Sequence, residues 1–135
     1  IINVIYSSIM KWKVEAKKNN SEKQAEFYVR EGHITIAFVN GFIDEADGSI
    51  VHLNNIESTE IAENGMGTAL LLAFVTWGKE YGAECLVGDF RPTGDKNQVE
   101  SWYNKRGIFV VNNGYDIFGT ISQIINACLE IRQKY

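Results

Sequence analysis

The feature that most narrows the fold is a change of hydrophobic period in mid-chain. From Ala25 the apolar residues recur at every second position, Phe27 and Val29 alternating with Tyr28 and Arg30, which is the pattern of a strand with one buried face. Glu31-Gly32-His33 reads as a hairpin turn, after which Ile34, Ile36 and Phe38 share one face of a second strand. Asp44–Gly48 turns the chain into a third strand, Ser49–Ser58, whose alternation falters at Asn54-Asn55 as a β-bulge would make it. Beyond this meander, Glu63-Asn64-Gly65-Met66-Gly67-Thr68 opens a segment with Leu70, Leu71, Phe74, Gly78 and Tyr81 on one helical face, and Gly82 is placed to end it. A meander followed by a long apolar helix covers its apolar surface by laying helix on sheet.

The remainder extends that plan. Glu84–Phe90 is a short apolar run suited to a buried strand. Asn97 with Glu100 resembles a capping box for a short helix ending at Gly107. Ile108–Val111 and Tyr115–Phe118 read as strands, and Thr120–Tyr135 places Ile121, Ile124, Ile125 and Cys128 along a helical stripe. That stripe is open to two uses, packing within the chain or forming a homodimer. Upstream, Ile5, Ile9, Trp12 and Ala16 are spaced along one side of a helix over Ile1–Ala16, with Lys11, Lys13, Lys17 and Lys18 on its wet face; a strand over Ile1–Tyr6 is the alternative. The expected fold is α/β (α+β): a mixed, mainly antiparallel sheet flanked by helices, with an additional C-terminal helix. With one Pro, no repeat and no low-complexity segment, 135 residues read as a single domain. The chain opens on Ile1 rather than Met, as a piece of a longer or processed protein would.

Composition removes several classes of function. A formal charge of −4 with scattered basic residues does not suit nucleic acid, whose binding rests on clustered Lys and Arg. No apolar run approaches the ~20 residues of a membrane span, and no secretory leader pattern is present. Cys85 and Cys128 lack metal or redox spacing and read as core thiols, which fits a reducing, cytoplasmic setting. Metal ligation is not expected.

Gly65-x-Gly67-Thr68 follows a strand and opens a helix. Such a turn leaves backbone N–H groups without intrahelical acceptors at the positive end of the helix dipole, and glycines let a diphosphate approach closely. There is no Gly-Lys-Ser/Thr, and a meander rather than a βαβ unit precedes the turn, so P-loop and Rossmann enzymes do not fit. The second element is Trp102-Tyr103-Asn104-Lys105-Arg106-Gly107-Ile108, one strand further on.

Together, in this order and separation, the two segments resemble the GNAT superfamily of N-acyltransferases, over Ala25 to Gly119. The resemblance implies an acetyltransferase that moves an acetyl or similar acyl group from CoA to an amine by direct attack, using acetyl-CoA or a related acyl-CoA as co-substrate. It implies that backbone groups of Ile56 and Ser58 pair with the pantetheine arm. It also implies that amides of Glu63, Asn64, Gly65, Met66, Gly67 and Thr68 hold the pyrophosphate, that Asn97 contacts the cofactor, and that Tyr103 protonates the departing thiolate. Two departures stand out. Ala62 occupies the place of the family's loop Arg or Gln, and Glu60 and Glu63 lie where basic residues are common; a carboxylate about 8 Å from a phosphate costs roughly 0.5–2 kcal/mol. A catalytically weak acyl-CoA-binding or assembly module is the alternative reading. An amine with a pKa of ~10.4 must also lose a proton. Glu57, on the strand beside the expected cofactor gap, is the first candidate base, with His52 next and His33 an exposed turn residue.

Overall fold

The computed structural model describes residues 12–58 and 65–132. The expected meander is present as β2 (Gln24–Glu31), β3 (Ile34–Ile43) and β4 (Ile50–Ser58), preceded by a short β1 (Glu15–Ala16). Helix α1 (Met66–Glu80) follows, then β5 (Cys85–Asp89), α2 (Lys96–Asn104), β6 (Phe109–Val111), a 3-10 turn at Asn112–Gly114, β7 (Asp116–Thr120) and α3 (Ile121–Arg132). Among the described residues seven strands form one sheet in the order β1-β2-β3-β4-β5-β7-β6. Every neighbouring pair is antiparallel except β4 and β5, which run parallel.

The β2–β3 turn falls on Gly32-His33, with Gly32 at φ +64° and His33 exposed. The faltering alternation at Asn54 is a real irregularity. Asn40 pairs with Asn55 while its neighbour Gly41 pairs with Leu53, so Asn54 is the extra residue of a bulge in β4.

One expectation is corrected, and two gain the burial that alternation and helical spacing alone do not give. The helix expected over Ile1–Ala16 does not extend through its described end, because Glu15 and Ala16 pair with Tyr28 and Phe27 as an edge strand. Arg30 fastens that edge by donating from Nε to Glu15 Oε2 at 2.7 Å, and Val14 is fully buried beside it. Residues 1–11 of that expected helix lie outside the described residues. In β3 the buried face is Ala37, Val39 and Gly41, whereas Ile34 is 70% exposed; both faces of this strand are apolar, so alternation alone does not select one. The α1 segment is buried all round its first ten residues, not along one stripe, because the sheet lies under it and α3 packs on it.

Of the α3 stripe, Ile121, Ile124 and Cys128 are buried and Ile125 packs at the margin of the same core, so this chain uses the stripe internally. Cys128 is a core thiol whose pKa burial pushes up to about 12. Cys85 is only half-buried, at the Ser49 carbonyl, where desolvation raises its pKa. Among the described residues no helix is long and apolar enough to cross a membrane.

Candidate functional site

Among the described residues one strand pair is parallel, and that seam makes the site. Strands β4 and β5 pair from Ile50–Cys85 to Leu53–Gly88 and then part. Beyond that rung β4 continues to Ser58, held by β3 on its other edge through Ile56–Val39, Glu57–Phe38 and Ser58–Ala37. The edge of β4 that faces β5 is therefore unzipped over Asn54–Ser58, leaving its peptide groups to seek other partners. The opening is a cleft of about 400 Å³ walled by Asn54–Glu57 on one side and Asp89–Thr93 on the other. Val99 and Tyr103 of α2 close its end.

Helix α2 is positioned by its own caps. The Asp95 carboxylate accepts from the N–H groups of Asn97 and Gln98 at 2.9 and 3.2 Å, so Asp95 is the N-cap. The cap expected at Asn97 is thus displaced by two residues, and Asn97 stands exposed in the first helical turn. At the other end Gly107, at φ +79°, lets the Ile108 N–H return to the Tyr103 carbonyl at 3.0 Å.

Tyr103 packs edge-on against Phe90 of the cleft wall and against Trp102. Desolvation of its phenol pushes the pKa up to about 12. At neutral pH it is a hydrogen-bond donor. Glu57 lines the same cleft and is exposed, and Ile56 beside it is half-buried.

Helix α1 begins at Met66, with Gly65 as its N-cap. Gly65 takes φ +82°, a left-handed conformation that admits glycine readily. Gly67 is required for a different reason: a Cβ there would lie 2.8 Å from the Trp102 ring. Thr68 is fully buried, and its hydroxyl accepts from Arg106 Nε at 3.0 Å. Arg106 also donates from Nη1 to the Trp102 carbonyl at 2.9 Å and stacks its guanidinium 4.0 Å over the Trp102 ring. These contacts lock α2 against the start of α1. Glu63 and Asn64, and the loop positions Glu60 and Ala62, lie outside the described residues.

Sequence reasoning did not single out Arg106, Asn54, Asp89 or Asp44 as site residues. For Arg106 the advance signal is a basic residue four positions after Trp102, whereas Asn54 and Asp89 come to line one cleft through the parallel seam. His52 lies on the wall of a second cavity; its Nε2 stands 2.9 Å from Asp44 Oδ1, and its ring stacks on Phe42 at 4.5 Å.

No family model and no curated protein matches the chain. Solved structures do. The chain is similar to a GNAT-family acetyltransferase from Desulfovibrio desulfuricans at 16% identity, over 73% of this chain and 68% of that one, with a TM-score of 0.58. It is similar to the ribosomal-protein-S18-alanine N-acetyltransferase of Escherichia coli at 17% identity, over 76% and 72%, with a TM-score of 0.59. It is also similar to the PaiA N-acetyltransferase of Thermoplasma acidophilum, solved in complex with coenzyme A, at 16% identity over 73% and 61%, with a TM-score of 0.59. A mainly antiparallel sheet opened at a single parallel seam, with helices on its faces, is the fold of the GNAT acetyltransferases.

Proposed function

We propose that the chain is an acyl-CoA-dependent N-acyltransferase that moves an acetyl or similar acyl group to an amine by direct attack. One observation carries this reading: β4 and β5 separate past Leu53–Gly88 and leave an extended strand edge beside a cleft that Tyr103 closes. An extended thioester arm suits such an edge, because peptide groups of Ile56 and Ser58 would pair with its amides as a neighbouring strand does. The backbone N–H groups from Glu63 to Thr68, at the α1 N-terminus, would hold the pyrophosphate. The Thr68 side chain is already engaged by Arg106, so its part is through the backbone. Asn97 enters through the family resemblance and its exposed place on α2.

Acyl-CoA supplies the activated carbonyl, and the chain's own residues position it and manage protons. With a pKa of about 12, Tyr103 serves as a hydrogen-bond donor to the sulfur as negative charge develops there. Glu57 is a carboxylate on the cleft wall within the same space. A chain that bound acyl-CoA and acylated nothing would be the weak or assembly-type module that the acidic loop allows.

The test is direct. CoA should raise the thermal midpoint according to RT ln(1 + [L]/Kd), and acetyl-CoA with a pooled amine library should release free thiol and give acylated product by mass spectrometry. No thermal shift at millimolar CoA would remove the cofactor site; a shift with no acylated amine would leave the binding module. Gly67→Asp is not a clean control, because the new side chain would strike Trp102 and disturb the fold itself.

A further inference from the structure

The first turn of α1 carries none of the negative charge that commonly faces the positive end of a helix. Gly65 caps it without a side chain, and the turn holds no acidic residue. Between Ser58 and Gly65 the sequence has two carboxylates, Glu60 and Glu63, and no Lys or Arg. The Ala69 N–H bonds to the Gly65 carbonyl at 3.0 Å, so the N–H groups of Gly67 and Thr68 lie ahead of the helix's own ladder.

What packs against this turn is a cation. Arg106, in the connection from α2 to β6, is only 4% exposed, and its Nε donates to Thr68 Oγ1. Burying a guanidinium is costly, and beside a helix N-terminus it also meets charge of its own sign. An anion held at that terminus turns the second cost into an attraction. Trp102, under the guanidinium, adds an unused donor: its Nε1 is buried with no hydrogen-bond partner among the described residues. Nε1 is bonded to Cε2, which would lie 3.6 Å from a Cβ at Gly67, so this N–H belongs to the same corner. A buried donor without an acceptor is destabilising until one arrives.

We propose that Arg106 and Trp102 form a buried backing to the diphosphate site, in which the Arg106 guanidinium supplies, from the α2 side, the positive charge that the β4–α1 connection lacks. The inference rests on the transferase reading and deepens it, since it names what makes an acidic loop compatible with a diphosphate. Arg106 is a positioning residue here: it acts through Thr68 and through its field, without touching the ligand. Burial suits that task, because salt screens a buried charge less than one on an exposed loop. Arginine suits it too, being weakly hydrated, always charged and able to stack on an indole.

The experiment compares CoA, titrated by calorimetry, with pantetheine, which lacks the diphosphate and is titrated by NMR. Arg106→Met should weaken CoA by about tenfold, the effect of one nearby charge in an effective protein dielectric, and leave pantetheine near wild type. Arg106→Lys keeps the charge and loses the planar fork, so it should recover most of the CoA affinity even where its urea midpoint stays low. A residue that merely held the fold would weaken both ligands in step with stability. Wild type gives an independent readout should Arg106→Met fail to fold. The Trp102 indole N–H resonance, assigned by its loss in Trp102→Phe, should move with CoA and with inorganic pyrophosphate and stay in place with pantetheine. Equal losses for CoA and pantetheine, Arg106→Lys no better than Arg106→Met, or a Trp102 resonance that pyrophosphate leaves unmoved would overturn the inference while wild-type CoA binding upholds the cofactor site. If wild type binds no CoA, the transferase reading falls, and the pyrophosphate titration alone judges the Arg106–Trp102 backing.

Discussion

Asn54 of β4 and Asp89 of β5 each stand one residue past the last rung that joins their strands, Leu53–Gly88. Each also borders two cavities, Asn54 a polar one beside Asn40 as well as the cleft, and Asp89 the cleft and the His52 cavity. The point where the sheet opens is therefore where its cavities meet. A residue change at the rung should be felt at the opening.

Gly88→Ala tests that rung. A Cβ at Gly88 would sit 2.8 Å from the Leu53 carbonyl oxygen and 3.2 Å from the Ile117 side chain, so backbone must shift. The expected loss is about 1–3 kcal/mol, typical of overpacking, read as a lower urea midpoint with an unchanged m-value. The CoA Kd should change with it, since the wedge lies at the mouth of the cleft.

Tyr103→Phe separates proton donation from packing. Transfer of a proton from a phenol of pKa about 12 to a thiolate whose acid has a pKa of ~8.5 is uphill by roughly 5 kcal/mol. Tyr103 should therefore act through its hydrogen bond, and kcat should fall ~10²-fold with acyl-CoA affinity retained. Stability offers a second readout. The folded pKa is raised above the unfolded value of ~10, so the neutral phenol's contribution is complete below about pH 10. It is lost as pH rises toward 12, because the unfolded chain ionises first. Wild type should lose up to about 2–3 kcal/mol relative to Tyr103→Phe across that window. Cys128, also raised to about 12, titrates in both proteins and cancels from the comparison.

Thr68→Val asks what the buried hydroxyl does. It is isosteric, yet it removes the oxygen that accepts from Arg106 Nε. Leaving part of a buried guanidinium without that acceptor should cost about 1.5–3 kcal/mol. Arg106→Met in the Thr68→Val background should then cost less than it does alone, a coupling that a double-mutant cycle in urea measures. A pyrophosphate role carried by the Thr68 backbone predicts little change in CoA affinity for whatever remains folded.

Much of the sheet was legible because its information is local. Phe27 and Val29 alternate with polar neighbours, and the bulge at Asn54 announces itself as a break in that rhythm. Where both faces are apolar, as in Ile34–Ile43, the deciding fact is tertiary: Gly41 lies against Phe74 of α1, and only a residue without a side chain fits there. Glu15–Ala16 is a strand because of Tyr28 and Phe27, more than ten residues away, and no helical spacing in its own segment could foretell that pairing. The cap slipped from Asn97 to Asp95 because both residues are good caps and the Asp carboxylate reaches two N–H groups. The glycines at the start of α1 were visible in sequence, but that Gly67 makes room for Trp102 was not.

The parallel seam also has a mechanical meaning. On one side β1–β4 form an antiparallel ribbon under α1; on the other β5, β7 and β6 form a second, with α3 on β7. Four rungs of the weaker parallel pairing, the packing of α3 on α1 and the contact of Arg106 with Thr68 tie the two together. The molecule is thus a pair of boards hinged along one short line. Under load or thermal agitation that line should yield before either board does, widening the space between the boards while each stays intact.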